Sequence, residues 1–188
     1  MTLKPSPDTP AAAWIMEAEE DWTQVAGFGP GGFPGYVRVR FLPDPERPLQ
    51  SASEVPSAAN SEPEQTRRVL EVLARHTGTP ATAWFCLWEG WGTQIPGFKP
   101  MVMIPNRAYY LFTGPLADAG QWDVPGSTDE DLEAALVWPE DHSWCLAKDV
   151  DHHWLGVGAS EAAIQELLAT PGLDVVRADP EQQQPFYL

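Results

Sequence analysis

The sequence predicts an α+β protein in which one antiparallel or mixed β-sheet has helices packed on it. Two observations lead to this prediction. Most segments with strand character follow one another as hairpins do, for example 101–104 and 107–112 around Pro105-Asn106. The C-terminal part then reads as strand, helix and strand, with Ser160 as the cap of the helix. Hairpins combined with such a unit are typical of α+β folds.

The N-terminal part contains a short helix, a turn-rich connection and one clear strand. A helix is predicted within residues 11–20. The G-x-G-x-x-G spelling at 27–32 is rejected as a dinucleotide loop, because it contains a proline and leads into a strand. Alternation over 36–42 predicts a strand. Its inward residues are Val37, Val39 and Phe41, and its outward residues are Arg38 and Arg40.

The middle of the chain contains the clearest helix signal and a central strand. Residues 43–61 are rich in Pro, Ser, Ala and Glu, which predicts a surface loop. Ser61 and Glu64 form a capping box before apolar residues at helical spacing, so a helix is predicted over 62–76. The run 83–88 is apolar at every position, which indicates a strand covered on both faces.

Two elements are predicted in the acidic region that follows. A second capping box, Ser127 with Glu130, predicts a short helix that continues to about Leu136. Residues 144–151 alternate and predict a strand whose end is acidic. Further strands are predicted at 154–158 and 173–176, on either side of the helix that Ser160 begins.

The length fits one domain, which we place at residues 11–180 with flexible tails at 1–10 and 181–188. The sequence contains no apolar run long enough to span a bilayer and no signal-peptide pattern at its start, so a cytoplasmic location is predicted. Cys86 and Cys145 lie among apolar strand residues, which predicts reduced and buried thiols.

The charge is distributed unevenly along the chain. Residues 1–112 carry nine Lys/Arg and twelve Asp/Glu, whereas residues 113–188 carry two and fifteen, so the net charge of −16 divides into −3 and −13. Such a field repels phosphate backbones and anionic lipid, which disfavours binding to nucleic acid or membranes and favours a basic protein partner. A solubilising role for the acidity is the alternative.

If this acidity serves recognition, its carboxylates should lie on one connected face. The acidic residues expected on that face are Asp118, Asp123, Asp129, Glu130, Asp131, Glu133, Glu140 and Asp141.

Four segments resemble a family of actinobacterial proteins for which no function is known. They are Tyr36-Val37-Arg38-Val39, Trp84-Phe85-x-x-Trp88-Glu89-Gly90-Trp91-Gly92, Arg107-x-Tyr109-x-Leu111-x-x-Gly114-Pro115 and Trp138-Pro139-x-Asp141-x-x-Trp144-Cys145-x-Ala147. The resemblance covers most of residues 22–179. It implies that these segments belong to one domain, and it implies no activity, cofactor or catalytic residue.

Metal and nucleophile chemistry have little support in the sequence. The metal-capable side chains cluster near the 144–151 strand and are His142, Cys145, Asp149, Asp151, His152 and His153. Adjacent histidines of an extended chain point to opposite faces, and no H-x-x-x-H or C-x-x-C spacing occurs. We therefore predict neither a metal nor a cofactor, and histidines that are solvated at a strand end. No G-x-S-x-G, Walker or Cys-His signature is present either, so nucleophilic hydrolysis has no support in the sequence.

The tryptophans supply the candidate site. Trp84 and Trp144 lie inside strands and are predicted to be core, whereas Trp88, Trp91 and Trp138 lie at strand exits. The second group can line a pocket or an interface, or it can plug the end of the sheet. The candidate site residues are Trp88, Glu89, Trp91, Arg107, Tyr109, Trp138 and Asp141.

Two classes of function follow from these patterns. The first is a non-enzymatic, immunity-like binding protein whose acidic C-terminal half covers a cationic protein. The second is an enzyme or small-molecule-binding protein with an aromatic-lined pocket at the strand ends. The sequence leaves open whether the chain is an enzyme, and the missing catalytic signature favours the first class.

Overall fold

The computed structural model describes residues 2–56, 60–92, 94–124 and 132–188. Its strands are β1 (Lys4–Pro5), β2 (Gly35–Arg40), β3 (Ala83–Trp88), β4 (Val102–Ile104), β5 (Arg107–Gly114), β6 (Ala134–Pro139), β7 (Trp144–Ala147), β8 (Trp154–Ala159) and β9 (Val175–Arg177). Its helices are α1 (Ala13–Met16), α2 (Trp22–Phe28), α3 (Glu62–Leu73) and α4 (Glu161–Ala169).

The nine strands found in the described ranges form one sheet, in the order β1-β5-β3-β6-β7-β8-β2-β9, and β4 also pairs with β5. Every named strand pair is antiparallel. The predicted α+β class with an antiparallel sheet is therefore confirmed. The longest helix, α3, has 12 residues, and none in the described ranges has the length and apolarity to cross a membrane.

Most predicted helices and strands are present. In these segments the capping residues and apolar patterns of the sequence match the burial of each element in the fold. The hydroxyl of Ser61 accepts a hydrogen bond from the Glu64 N–H at 3.4 Å, so α3 begins where its capping signal predicts. β3 lies between β5 and β6 and is buried along nearly its whole length. The β4–β5 hairpin turns at Asn106, whose φ of 65° is a left-handed conformation that asparagine tolerates.

Both faces of the sheet are covered, and the alternation within strands decides which residues lie on each face. Trp144 and Leu146 of β7 face α3 and α4, and Cys145 and Ala147 face the side of α1 and α2. We call these the α3 face and the α2 face. The two-sided burial explains why β3 is apolar at every position.

The N-terminal region departs from the prediction. A 3-10 turn at Thr9–Ala12 and the short α1 replace the single helix expected over 11–20. The helix α2 is not predicted, and its first turn is capped by Asp21 through a hydrogen bond from the Thr23 N–H at 2.9 Å. A Cβ on Gly156 of β8 would lie 2.1 Å from the Gly27 carbonyl oxygen, so glycine permits α2 to pack directly on the sheet.

The two ends of the chain also contact the rest of the fold. Residues 1–10 were predicted to be a flexible tail, but Lys4–Pro5 pairs with β5 and Leu3 is completely buried. In the predicted C-terminal tail, the Tyr187 hydroxyl donates a hydrogen bond to the Pro43 carbonyl at 2.6 Å. The short length of these contacting segments leaves no periodic pattern that would predict them.

Two strand and helix ends differ from the prediction in the acidic region. A helix was expected from Ser127 to about Leu136, but its last residues belong to the strand β6, Ala134–Pro139. The start of that prediction falls on residues 125–131, which lie outside the described residues. β7 ends at Ala147 rather than 151, and the chain then turns, with the His152 N–H donating to the Asp149 carbonyl at 3.2 Å.

The predicted outward position of Arg38 is wrong. The residue is 6% exposed, and its guanidinium donates to both carboxylate oxygens of Asp44, at 2.7 and 3.1 Å. Its Cζ also lies 5.6 Å from the centroid of the Trp154 ring. The bidentate ion pair and the aromatic contact compensate for the loss of hydration, which permits a charged side chain to be buried here.

Candidate functional site

The predicted site residues fall into two groups at opposite ends of β3. Trp88, at its C-terminal end, pairs with Tyr109 of β5, whereas Trp84, near its start, pairs with Trp138 of β6. Four residues of strand separate these pairs, a distance of about 13 Å. Because β3 and β6 run antiparallel, the C-terminal end of β6 lies beside the start of β3. Trp138 and Asp141 therefore do not join the other five candidates in one site.

The Trp138 and Asp141 group has structural roles. Trp138 is completely buried and meets the Trp14 ring edge-on, with 6.0 Å between centroids. The Asp141 carboxylate accepts hydrogen bonds from the Thr77 hydroxyl at 2.8 Å and the Gly78 N–H at 2.7 Å. Burial raises the pKa of Asp141, but these bonds and those from Ser143 outweigh it and lower the pKa below its usual value. Asp141 therefore holds two loops together.

Arg107 is the centre of the other group. Its guanidinium lies between two indole rings, 5.1 Å from the Trp22 centroid and 5.7 Å from the Trp88 centroid. Asp149 accepts hydrogen bonds from its Nε at 2.8 Å and its Nη2 at 2.7 Å. The two side chains are 13% and 9% exposed. The hydrogen bonds to Asp149 raise the pKa of Arg107, although partial burial lowers it. The same two bonds hold the guanidinium in place.

Trp91 presents an exposed indole beside this anchor. Its ring meets the Trp88 ring edge-on, with 5.9 Å between centroids, and the residue is 48% exposed. It lies in the 3-10 turn Glu89–Trp91, where a Cβ on Gly90 would lie 2.1 Å from the Trp88 ring. Gly92 ends the turn with a φ of 75°. The glycines permit the turn that brings Trp91 onto Trp88.

Two exposed carboxylates belong to the segments around this anchor. Glu89 is exposed in the same turn as Trp91. The Asp151 side chain is 85% exposed, and its Oδ2 lies 3.8 Å from Arg107 Nη2. We define the Trp91 surface as Glu89, Trp91 and Asp151, held by Trp88 and Arg107.

Tyr109 of β5 is the cross-strand partner of Trp88 and is 1% exposed. Burial raises the pKa of its phenol far above the ordinary value, and the nearby Cys86 and Asp149 raise it further. The group stays neutral at any physiological pH. Tyr109 is thus a buried neighbour of Trp88 that does not titrate at physiological pH.

Both histidines of the β7–β8 turn are packed, so the prediction of solvated histidines is wrong. The His152 ring stacks on Trp154 with 4.2 Å between centroids. His153 is 7% exposed, and its Nε2 lies 3.1 Å from Asp44 Oδ1. Burial lowers the pKa of both histidines, although nearby carboxylates act in the opposite direction.

The buried histidines predict that acid destabilises the protein. Each imidazole binds a proton less readily in the folded chain, so its contribution to stability is present above about pH 6.5 and is lost as the pH falls below it. We expect the urea midpoint to fall between about pH 7.5 and about pH 5.5.

The matched variant is His152→Phe, which keeps the ring stack on Trp154 and removes the titrating nitrogen. Its midpoint should fall less over the same pH range. Parallel pH profiles for the two proteins would remove His152 from this explanation.

The described residues contain no group of three His, Cys, Asp or Glu side chains placed to hold a metal ion. Cys86 and Cys145 are buried free thiols, as predicted from their apolar surroundings. Burial raises the pKa of both, so neither forms a reactive thiolate at neutral pH.

Of the described carboxylates of the predicted acidic face, Asp123, Glu140 and Asp141 are exposed, and the other two are buried or paired. Asp118 is buried, and Glu133 forms an ion pair with Lys148. Glu140 accepts a hydrogen bond from Trp84 Nε1 at 2.6 Å, and Asp141 holds two loops together, as described above. Asp129, Glu130 and Asp131 lie outside the described residues.

Fold and site together define an acidic α+β protein with a two-sided antiparallel sheet and an exposed, anchored tryptophan. Comparison with protein-family models, with curated proteins and with solved structures finds no match. The resemblance to the actinobacterial family stays a prediction.

Proposed function

We propose that the chain is a non-enzymatic, immunity-like binding protein whose Trp91 surface engages a positively charged protein. The observation that carries this proposal is the exposed Trp91 indole packed on Trp88, together with the exposed carboxylates of Glu89, in the same turn, and of Asp151, 3.8 Å from Arg107. Tryptophan is enriched at the energetic centres of interfaces, and an indole face attracts ammonium and guanidinium groups. The two exposed carboxylates can add ion pairs to Lys or Arg side chains of the partner.

The distribution of ion pairs supports a cationic partner. Within the described residues, seven Lys and Arg side chains form ion pairs with carboxylates of the chain itself. They are Arg38, Arg40, Arg47, Arg75, Arg107, Lys148 and Arg177. The chain carries 27 Asp and Glu, so the surface field stays negative and steers basic proteins toward it.

The rigidity of the support favours an interface. Arg107 lies over two indoles and donates two hydrogen bonds to Asp149, and Trp91 packs on one of those indoles. A contact residue that is already ordered loses little conformational entropy on binding.

Photo-crosslinking tests this proposal. A photoreactive phenylalanine analogue is placed at Trp91 and, as the matched control, at Leu49, which is 75% exposed and outside the Trp91 surface. In extracts of the producing cells we expect an adduct with a basic protein from position 91 alone. No adduct, an acidic partner, or equal adducts from both positions would contradict the proposal.

We place this interaction in the cytoplasm as part of the same proposal. Support comes from the two free buried thiols and from the absence of a membrane-spanning helix among the described residues.

A further inference from the structure

A cleft of about 870 Å³ lies on the α3 face, between α3 and the 116–121 segment. Phe85 and Val137 of the sheet lie at its base, and Leu70, Leu116 and Leu132 contribute its apolar walls. Small residues leave the cleft open, and they are Ala74, Ala117, Ala119, Gly120 and Ala134. Its volume and apolar lining are those of a small-molecule site, and it shares no residue with the Trp91 surface.

One cation at the cleft has no partner in the described part of the chain. Arg67 and Glu71 lie one turn apart on α3, Arg75 follows in the 3-10 turn Ala74–His76, and all three line the cleft. Arg75 donates to the Glu166 carboxylate and to the Glu71 carbonyl, and Glu133 is paired with Lys148. Arg67 is exposed and forms neither an ion pair nor a hydrogen bond with any described residue.

We propose that this cleft binds an elongated apolar molecule that carries one carboxylate, which pairs with the Arg67 guanidinium while the apolar body lies over Phe85. A guanidinium matches a carboxylate through two parallel hydrogen bonds, and apolar walls take up the remainder of such a ligand. Glu71, one turn further along α3, repels a second negative group, which restricts the ligand to a single carboxylate.

The net charge of −16 opposes the approach of an anion, but screening limits that effect. At physiological salt the screening length is about 8 Å, so the contact with Arg67 dominates once the ligand enters the cleft. The proposal is independent of the proposed function, because it concerns another face and a different class of ligand.

Calorimetric titration with decanoate, decylamine and decanol tests the ligand class. Decanoate should bind about tenfold or more tightly than either of the others, since a charged hydrogen-bond pair adds to the shared apolar contact. Arg67→Gln should remove this advantage and leave decanol binding unchanged. Arg67→Glu should reverse the order in favour of decylamine.

A second variant tests the place of binding without altering Arg67. Ala74→Leu fills the cleft and should abolish decanoate binding, whereas Ala162→Leu at an exposed position of α4 should not. Urea midpoints of both variants check that they are folded. The proposal is overturned if no amphiphile binds, if decylamine binds as tightly as decanoate, or if Ala74→Leu, while folded, binds as well as the native chain.

Discussion

Replacing Arg107 by alanine should lower the free energy of unfolding by about 3–5 kcal/mol, the cost of leaving a buried charge without its partner. The carboxylate of Asp149 is 9% exposed and has both its oxygens bonded to this guanidinium. The change also removes the cation between Trp22 and Trp88, so the tryptophans of the Trp91 surface lose their support. Urea denaturation followed by far-UV circular dichroism measures the effect.

Two controls separate burial from charge. The double variant Arg107→Met/Asp149→Leu replaces the pair by apolar groups of similar size and should recover most of the lost stability. Arg47→Ala breaks an exposed pair with Glu54, whose side chains are 58% and 44% exposed, and should cost less than about 1 kcal/mol. An equal loss in Arg107→Ala and Arg47→Ala would show that the Arg107 pair is not the anchor described here.

Trp144→Ala should cost about 3–5 kcal/mol as well, for a different reason. The residue is completely buried, and its Nε1–H donates to the Leu73 carbonyl at 2.9 Å, which joins β7 to the end of α3. Removing the indole leaves a cavity and an unpaired carbonyl. Trp84→Ala, at a site that is 7% exposed, should behave similarly.

Trp91→Ala is the matched control among the tryptophans, because its ring is 48% exposed and outside both cores. Its free energy of unfolding, measured by urea denaturation, should change by no more than about 0.5 kcal/mol. An unchanged midpoint for Trp144→Ala, or a large loss for Trp91→Ala, would contradict the assignment of core and surface.

Local patterns predicted the fold where one signal determined the structure. The capping box at Ser61 predicted the start of α3, and apolar residues at every position of 83–88 predicted a central strand. The helix α2 was not predicted, because it has only seven residues and contains Gly27, a poor helix former. Its stability comes from packing on β8, which no local pattern reveals.

The candidate site was predicted in part, and the missing part depends on long-range pairing. Trp88, Trp91, Arg107 and Tyr109 do meet, because the end of β3 pairs with the start of β5. Asp149 was noticed only as a metal-capable residue, and Trp22 was missed entirely. Both contact Arg107 across long separations in the chain. An acidic residue just after β7 was the available signal for a buried partner of Arg107.

Counting charges does not show which carboxylates of the predicted acidic face are occupied. Glu133 and Glu140 carry the expected charges, yet the first pairs with Lys148 and the second accepts a bond from Trp84. Exposure, and not position in the acidic half, decides which groups can meet a partner. Asp151 meets this criterion with a side chain that is 85% exposed.

The most direct test of the Trp91 surface is the association rate of the crosslinked partner, measured by stopped flow at about 0.01 M and about 0.15 M salt. For Glu89→Gln/Asp151→Asn we expect slower association than for the native chain, and a weaker dependence on salt. Glu64→Gln/Asp123→Asn removes the same charge from two other exposed carboxylates and should have a smaller effect. Equal rates for the two double variants, or rates that do not change with salt, would contradict recognition of a cationic protein at the Trp91 surface.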